Sequence, residues 1–239
     1  FSSNIFDWTP SNSDVGTYNV TFEAVHGSFT DQETITITVK DNTASTLSDG
    51  LVGYWKMDDN YDTPVVEDSS TLARPAIAQQ NTSAITTTGT VDGALTFNGA
   101  DDYINIPGLS SFDSAAVPMT IAMWVNPADL TATPYQMFFD KLDETWPLKG
   151  FTFGAWQQTG KISFTMFSSV NSWLQLFGST VLPDNVWSFV AVTYDGSKTA
   201  GGVTLYVNGV AETPNIFQDK LTTDDISNPI DAQIGAREG

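Results

Sequence analysis

His26 is the single histidine of the chain, and there is no cysteine. Thiolate chemistry is therefore excluded, and a Ser-His-Asp relay or a histidine-held metal has no centre anywhere beyond the segment around Gly27. The chain is instead rich in carboxylates, with 28 Asp and Glu against 9 Lys and Arg. Asp58-Asp59 and Asp101-Asp102 are adjacent pairs, so on a strand the two acids of each pair would face opposite sides. Neither pair supplies the two opposed acids of a glycosidase. Asp58, Asp68, Asp101 and Asp102 together form a set of hard oxygen donors that suits Ca²⁺, set against the plain reading of solvated surface carboxylates. Tryptophans are the other candidates. Trp146 precedes Pro147, Trp156 closes an apolar run and Trp173 follows Asn171-Ser172. An exposed indole at such a place stacks on a sugar ring or anchors a partner. Trp55, Trp124 and Trp187 lie in strongly apolar runs and are expected in the core.

The formal net charge of -19 sets the electrostatic frame. Such a surface repels phosphate backbones and anionic lipid, which argues against nucleic-acid binding and membrane-surface binding. No apolar run is long enough to span a bilayer, so membrane insertion is not expected. Phe1-Ser2-Ser3 lacks the basic start and apolar stretch of an export signal, and any such signal is expected upstream. Apolar residues make up 41% of the chain, enough to bury a core.

The elements that must position these groups read as strands. Leu51–Met57, Ala94–Phe97, Tyr103–Ile106, Met119–Val125, Phe151–Trp156, Lys161–Phe167, Trp187–Tyr194 and Val203–Val207 are rich in Val, Ile, Thr and aromatic residues. Asp92-Gly93, Asn98-Gly99, Asp195-Gly196 and Asn208-Gly209 punctuate them with turns that tolerate positive φ. Trp187–Tyr194 is apolar at nearly every position, and Met119–Val125 reads the same way, so both are expected to be covered on both faces. The pattern predicts an all-β, antiparallel β-sandwich. A polar, turn-prone linker is expected at 42–50, dividing a first segment, 1–41, from a larger domain, 51–239. In the first segment Tyr18–Ala24 and Glu33–Val39 alternate strictly.

The order of motifs carries a resemblance. Leu51-Val52-Gly53-Tyr54-Trp55-Lys56-Met57-Asp58, Asp68-Ser69-Ser70, Gly93–Ile104, Thr120–Pro127, Trp187–Gly196, Leu205–Gly209 and Gln233-Ile234-Gly235 resemble, in sequence, a laminin-G-like, concanavalin A-like jelly roll. The first segment, through Phe6–Pro10, Gly16–Phe22 and Ile35–Val39, resembles the C-terminal part of a bacterial Ig-like or cadherin-like sandwich, with Tyr18 at the place of a corner tyrosine. The chain departs from the jelly-roll pattern at Thr71–Pro75, and it stops at Gly239 before the closing strand that the resemblance implies.

The resemblance implies function as well as fold. Relatives with a pentraxin-like edge suggest Ca²⁺ held by the loop Asp140, Asp143 and Glu144 with Glu238, although Arg237 and Gly239 stand where further ligands are expected. Glycosidases of this architecture, the laminarinase-like group, carry Glu-x-Asp-x-x-Glu on one strand, and no such spacing occurs here. The expectation is a non-catalytic recognition or adhesion module, extracellular or on a cell or virion surface. It would bind a glycan or a surface protein, with Ca²⁺ as a candidate cofactor. The alternatives are a self-assembling structural subunit of a surface layer, filament or virion decoration, and a glycan-cleaving enzyme.

Overall fold

The computed structural model describes residues 6, 8–11, 14–39, 48–132, 135–156 and 159–235, with Trp156 described by its backbone alone. The chain divides into two units, Phe1–Leu51 and Val52–Gly239. Most of the linker expected at 42–50 lies outside the described residues.

In the first unit β1 (Gly16–His26) and β2 (Phe29–Val39) pair antiparallel along their whole length. Gly27 takes a φ of 63° at the tight turn, a conformation that costs glycine little. His26 therefore ends a strand opposite Phe29 and does not lie in a loop. Alternation sets Tyr18, Val20 and Phe22 opposite Ile37, Ile35 and Glu33 on one face. The other face is polar and stitched across the strands: the Thr21 and Thr34 hydroxyls meet at 2.8 Å, Thr36 Oγ1 donates to Asn19 Oδ1 at 3.0 Å, and Gln32 Nε2 donates to Glu23. Phe6 packs edge-on against Phe22 and Trp8 against Tyr18, on the apolar face. No described residue of this unit is buried.

The second unit runs β3 (Val65–Val66), β4 (Ala76–Ala78), a one-turn helix α1 (Thr82–Ile85), β5 (Thr86–Thr88), β6 (Gly93–Leu95), β7 (Ile104–Ile106), β8 (Met119–Val125), β9 (Tyr135–Asp143), β10 (Lys149–Trp156), β11 (Lys161–Ser169), β12 (Ser172–Val181), β13 (Ser188–Tyr194), β14 (Val203–Val207), β15 (Val210–Ala211), β16 (Asn215–Asp219) and β17 (Ala232–Ile234). Nine strands form one sheet in the order β16-β12-β11-β10-β9-β17-β7-β4-β3, four form another in the order β15-β14-β13-β8, and β5 and β6 make a separate hairpin. The described pairings are antiparallel. Strands β9 to β12 form a consecutive meander, and β17 returns to fill the place between β9 and β7. The second unit is thus the antiparallel β-sandwich that the alternation predicts.

The core lies between the two large sheets. Phe151, Phe153, Phe164, Leu174 and Leu176 of the nine-stranded sheet join one buried cluster with Val190, Val192, Tyr194 and Leu205 of the four-stranded one. Phe151 is its hub: Phe139 stacks on it, Phe112 meets it edge-on and Phe164 leans against it, all with centroids near 6 Å. Phe164 then reaches across to Tyr194. The Tyr194 hydroxyl donates to Ala115 O at 2.6 Å and accepts from Lys198 N at 2.7 Å, so this buried polar group is satisfied.

Several expectations are corrected. Leu51–Met57 is not a strand; its one bridge pairs Trp55 with Asp68, because the Asp68 side chain takes over the role of a neighbouring backbone. Asp140–Glu144 is not a loop, since Asp140 to Asp143 continue β9. The polar pair Asp140-Lys141 is tolerated there because Asp140 Oδ1 accepts from Leu142 N at 2.9 Å and Lys141 Nζ lies 3.0 Å from Asp113 Oδ1. β8 is not covered on both faces: it is an edge strand with Thr120, Ala122 and Trp124 exposed. Trp124 is accordingly a surface residue, 44% exposed, resting on Phe189. Trp55 and Trp187 are half-buried, and Trp55 packs against the core with its Nε1 donating to Arg74 O.

Candidate functional site

The meander aligns side chains that the sequence keeps far apart. Cross-strand partners share a face of a sheet. Following the pairings, Asn105, Gln233, Asp140, Thr152, Thr165, Gln175 and Gln218 stand side by side across the nine-stranded sheet. Their strand neighbours Phe151, Phe153, Phe164, Met166, Leu174 and Leu176 belong to the core, so this polar row lies on the opposite face, where Asp140, Thr152, Thr165, Gln175 and Gln233 are themselves buried. Gln175 Nε2 donates to Thr165 Oγ1 at 3.0 Å. Thr152 Oγ1 is buried and has no hydrogen-bond partner among the described residues. Asp140 is the single carboxylate of the row. Acid-base hydrolysis of a glycoside needs two.

Beside the polar row runs an aromatic one. The pairings Leu142–Gly150, Gly150–Phe167 and Phe167–Trp173 place these four residues in line. Trp173 stacks on Phe167 with centroids 5.3 Å apart and planes 18° from parallel, and its other side meets Phe217 at 6.0 Å. Phe217 also meets Phe177 edge-on. Phe167 and Trp173 are half-buried, whereas Phe217, on the edge strand β16, is 59% exposed. Ile216 and Val181 add exposed apolar surface at the same edge.

The three tryptophans expected to contact a ligand part company. Trp173 joins the aromatic row at the start of β12. Trp146 is 78% exposed in the turn between β9 and β10. That turn is held by Asp143, whose Oδ1 accepts from Thr145 N at 2.9 Å and from Thr145 Oγ1 at 2.6 Å. In the antiparallel meander the β9–β10 and β11–β12 turns lie at one end of the sheet, so Trp146 and Trp173 share that end. Trp156 closes β10 at the other end, and its side chain lies outside the description. Phe167, Phe217 and the polar row were not anticipated. Alternation in Lys161–Ser169 marks a second face, but the register that aligns it with Trp173 is a tertiary property.

The expected cation ligands hold other partners. Asp140 is 3% exposed in mid-strand, Asp143 caps its own turn, and Glu144 is exposed in that turn. Asp102 accepts from Gln80 Nε2 and Asn98 N, and Asp101 accepts from Asn98 Nδ2 at 2.7 Å, which ties the turn after β6. Asp68 Oδ1 accepts the N–H of Tyr54 and Ser70, and its Oδ2 accepts Arg74 N and Ser70 Oγ, each at 2.8 Å. Burial pushes the Asp68 carboxyl up, but the Tyr54, Arg74 and Ser70 donors outweigh it and hold the group below the usual aspartate value. Asp58 is exposed. Among the described residues no three His, Asp or Glu side chains gather as a metal site would require. Glu238 lies outside the described residues.

Comparison with known proteins supports the fold. No curated protein matches the chain. A laminin G-type family model, described as the concanavalin A-like lectin/glucanases superfamily, matches residues 98–239, more than half of the chain and all of β7 to β17. By two facing antiparallel sheets and by this match, the chain belongs to the concanavalin A-like lectin/glucanases superfamily.

Proposed function

We propose that the chain is an extracellular recognition module that binds a neutral glycan at the Phe167–Trp173–Phe217 end of the nine-stranded sheet. The observation that carries this reading is a stacked aromatic cluster at the sheet edge, Phe167 and Trp173 half-buried and Phe217 exposed. A sugar presents an apolar face of C–H groups, and the accessible faces of these rings offer a counterpart to it. The charge of -19 favours neutral over acidic sugars. Superfamily membership supports a carbohydrate- or protein-binding role. The single carboxylate of the row weighs against glycoside cleavage.

A glycan array with the full chain tests this, run with Ca²⁺ and again with a chelator. Binding of neutral glycans that falls in Trp173→Ala and Phe217→Ala supports the reading. Absence of glycan binding, with a surface protein retained on the same residues, replaces it by protein recognition. Calcium enters this reading as a candidate cofactor only, and binding unaffected by the chelator removes it. A polysaccharide panel that releases reducing ends would restore the enzyme reading.

A second reading, self-assembly, is favoured by the first unit. An apolar hairpin face with no buried residue calls for a covering layer. Light scattering after size exclusion checks it: a mass that stays at one chain across concentration rejects assembly.

A further inference from the structure

Lys141, Asp113 and Asn228 meet where three separate elements converge. Lys141 is the third-last residue of β9, Asp113 follows a short 3₁₀ turn (Ser110–Phe112), and Asn228 lies between β16 and β17. The Lys141 side chain is 4% exposed, and its Nζ lies 3.0 Å from Asp113 Oδ1 and 3.2 Å from Asn228 Oδ1. The contact with Asp113 is close but misaligned: Asp113 Oδ1 is buried and has no hydrogen-bond partner among the described residues, although the charges touch. Phe112 packs on Phe151 beside the group, whereas the Asp113 side chain keeps 30% of its surface exposed. Lys149 is the nearest other cation described, and it pairs with Asp225.

A buried amine held against the carbonyl of a primary amide, with a carboxylate touching the amine, is an acyl-transfer constellation. We infer that Lys141 and Asn228 join through an intramolecular amide bond, with Asp113 as the proton carrier. Asp113 takes a proton from the Lys141 ammonium. The freed Nζ attacks Asn228 Cγ, which is one bond of about 1.2 Å from Oδ1. Ile230 N, 3.3 Å from Oδ1, donates to the oxygen as charge develops there. Asp113 returns its proton to Nδ2, the second Nζ proton follows by the same route, and the Cγ–Nδ2 bond breaks. Ammonium leaves, Asp113 ends ionised as it began, and no oxidant or further reactant is needed. In the arrangement described the Asn228 amide is intact, its Nδ2 donating to Lys141 O at 3.1 Å and Lys149 O at 2.9 Å. Those bonds hold the amide plane still against the amine.

The bond would bridge positions 87 residues apart. It would clamp β9 to the segment leading into β17, where Gln233 pairs with Asp140.

Intact mass spectrometry of the denatured full-length chain decides the matter. The expected result is a mass about 17 Da below that of the sequence, the loss of one ammonia. Digestion should give one branched peptide joining Lys141 to Asn228. Lys141→Met, Asn228→Ala and Asp113→Ala should each restore the sequence mass. Full sequence mass in the folded wild-type chain overturns the inference without reference to any variant. So does an ammonia loss mapped to Asn98-Gly99 or Asn208-Gly209, where an asparagine ring-closes on its own backbone.

Discussion

Trp173 lies nearly flat on Phe167 across the β11–β12 pair. The stack leaves Trp173 half-buried, with Phe217 on its far side. Truncating it removes the platform proposed for a ligand and part of a surface cluster, but no core residue. Trp173→Ala should lower glycan affinity about tenfold, or about 1.4 kcal/mol. It should lower stability by only about 1–2 kcal/mol. Titration calorimetry and urea unfolding on the same sample separate the two. Equal affinity in the variant rejects the site.

Phe151 and Trp146 predict opposite extremes. Phe151 is fully buried and touches Phe112, Phe139 and Phe164, so Phe151→Ala should cost about 3–5 kcal/mol. Trp146 is 78% exposed, and Trp146→Ala should stay within about 0.5 kcal/mol of wild type. Denaturant midpoints check both.

Asp68, just after β3, ties Tyr54 ahead of that strand to Ser70 and Arg74 beyond it by four hydrogen bonds. Asp68→Ala strands the N–H groups of Tyr54, Ser70 and Arg74, and should cost about 2–3 kcal/mol. Hydrogen exchange should accelerate at those three amides first. Protection that persists there would show that the carboxylate is dispensable.

Glu212 makes a comparable clamp at the end of β12. It accepts the backbone N–H groups of Ser179 and Thr180 and both hydroxyls. Burial raises its pKa, yet the Thr180 and Ser179 donors outweigh burial and hold the group below the usual glutamate value of 4.5. A folded pKa below the unfolded one gives stabilisation that is complete above about pH 4.5 and is lost as pH falls through the folded value. The stability gap between wild type and Glu212→Gln should therefore be wide at neutral pH and narrow as pH falls below the usual glutamate value. A gap independent of pH would contradict the clamp. Asp225 is also lowered, to about 2, chiefly by the Lys149 ammonium, but that pair is exposed and salt should weaken it.

Much of the fold could be read residue by residue. Met119–Val125 and Val203–Val207 are strands with the bounds their composition predicts, and Asn208-Gly209 turns between β14 and β15 with both φ angles positive. Legibility failed where side chains replaced ordinary partners. Asp140-Lys141 interrupts an apolar run, and β9 continues through it because Asp140 accepts from Leu142 N and Lys141 meets Asp113, 28 positions away, and Asn228. Trp124 has a core residue's neighbours in sequence but a surface position, because it alternates with Met119 and Ile121 onto the outer face of β8, beside Thr120 and Ala122. The candidate site was legible one residue at a time, through Trp146 and Trp173. Its rows depend on register across β9 to β12 and on β16, which no local pattern encodes.

The place of β17 gives the nine-stranded sheet a temporal order. Three residues, Ala232–Ile234, are the seam between the β9–β16 half and the β3–β7 half. During synthesis every other strand of the sheet leaves the ribosome before that seam, so the two halves wait with the flanks of β7 and β9 bare. Those flanks are where a chaperone would find the nascent chain, and a ribosome stalled before Ala232 would release two half-sheets that cannot zip together.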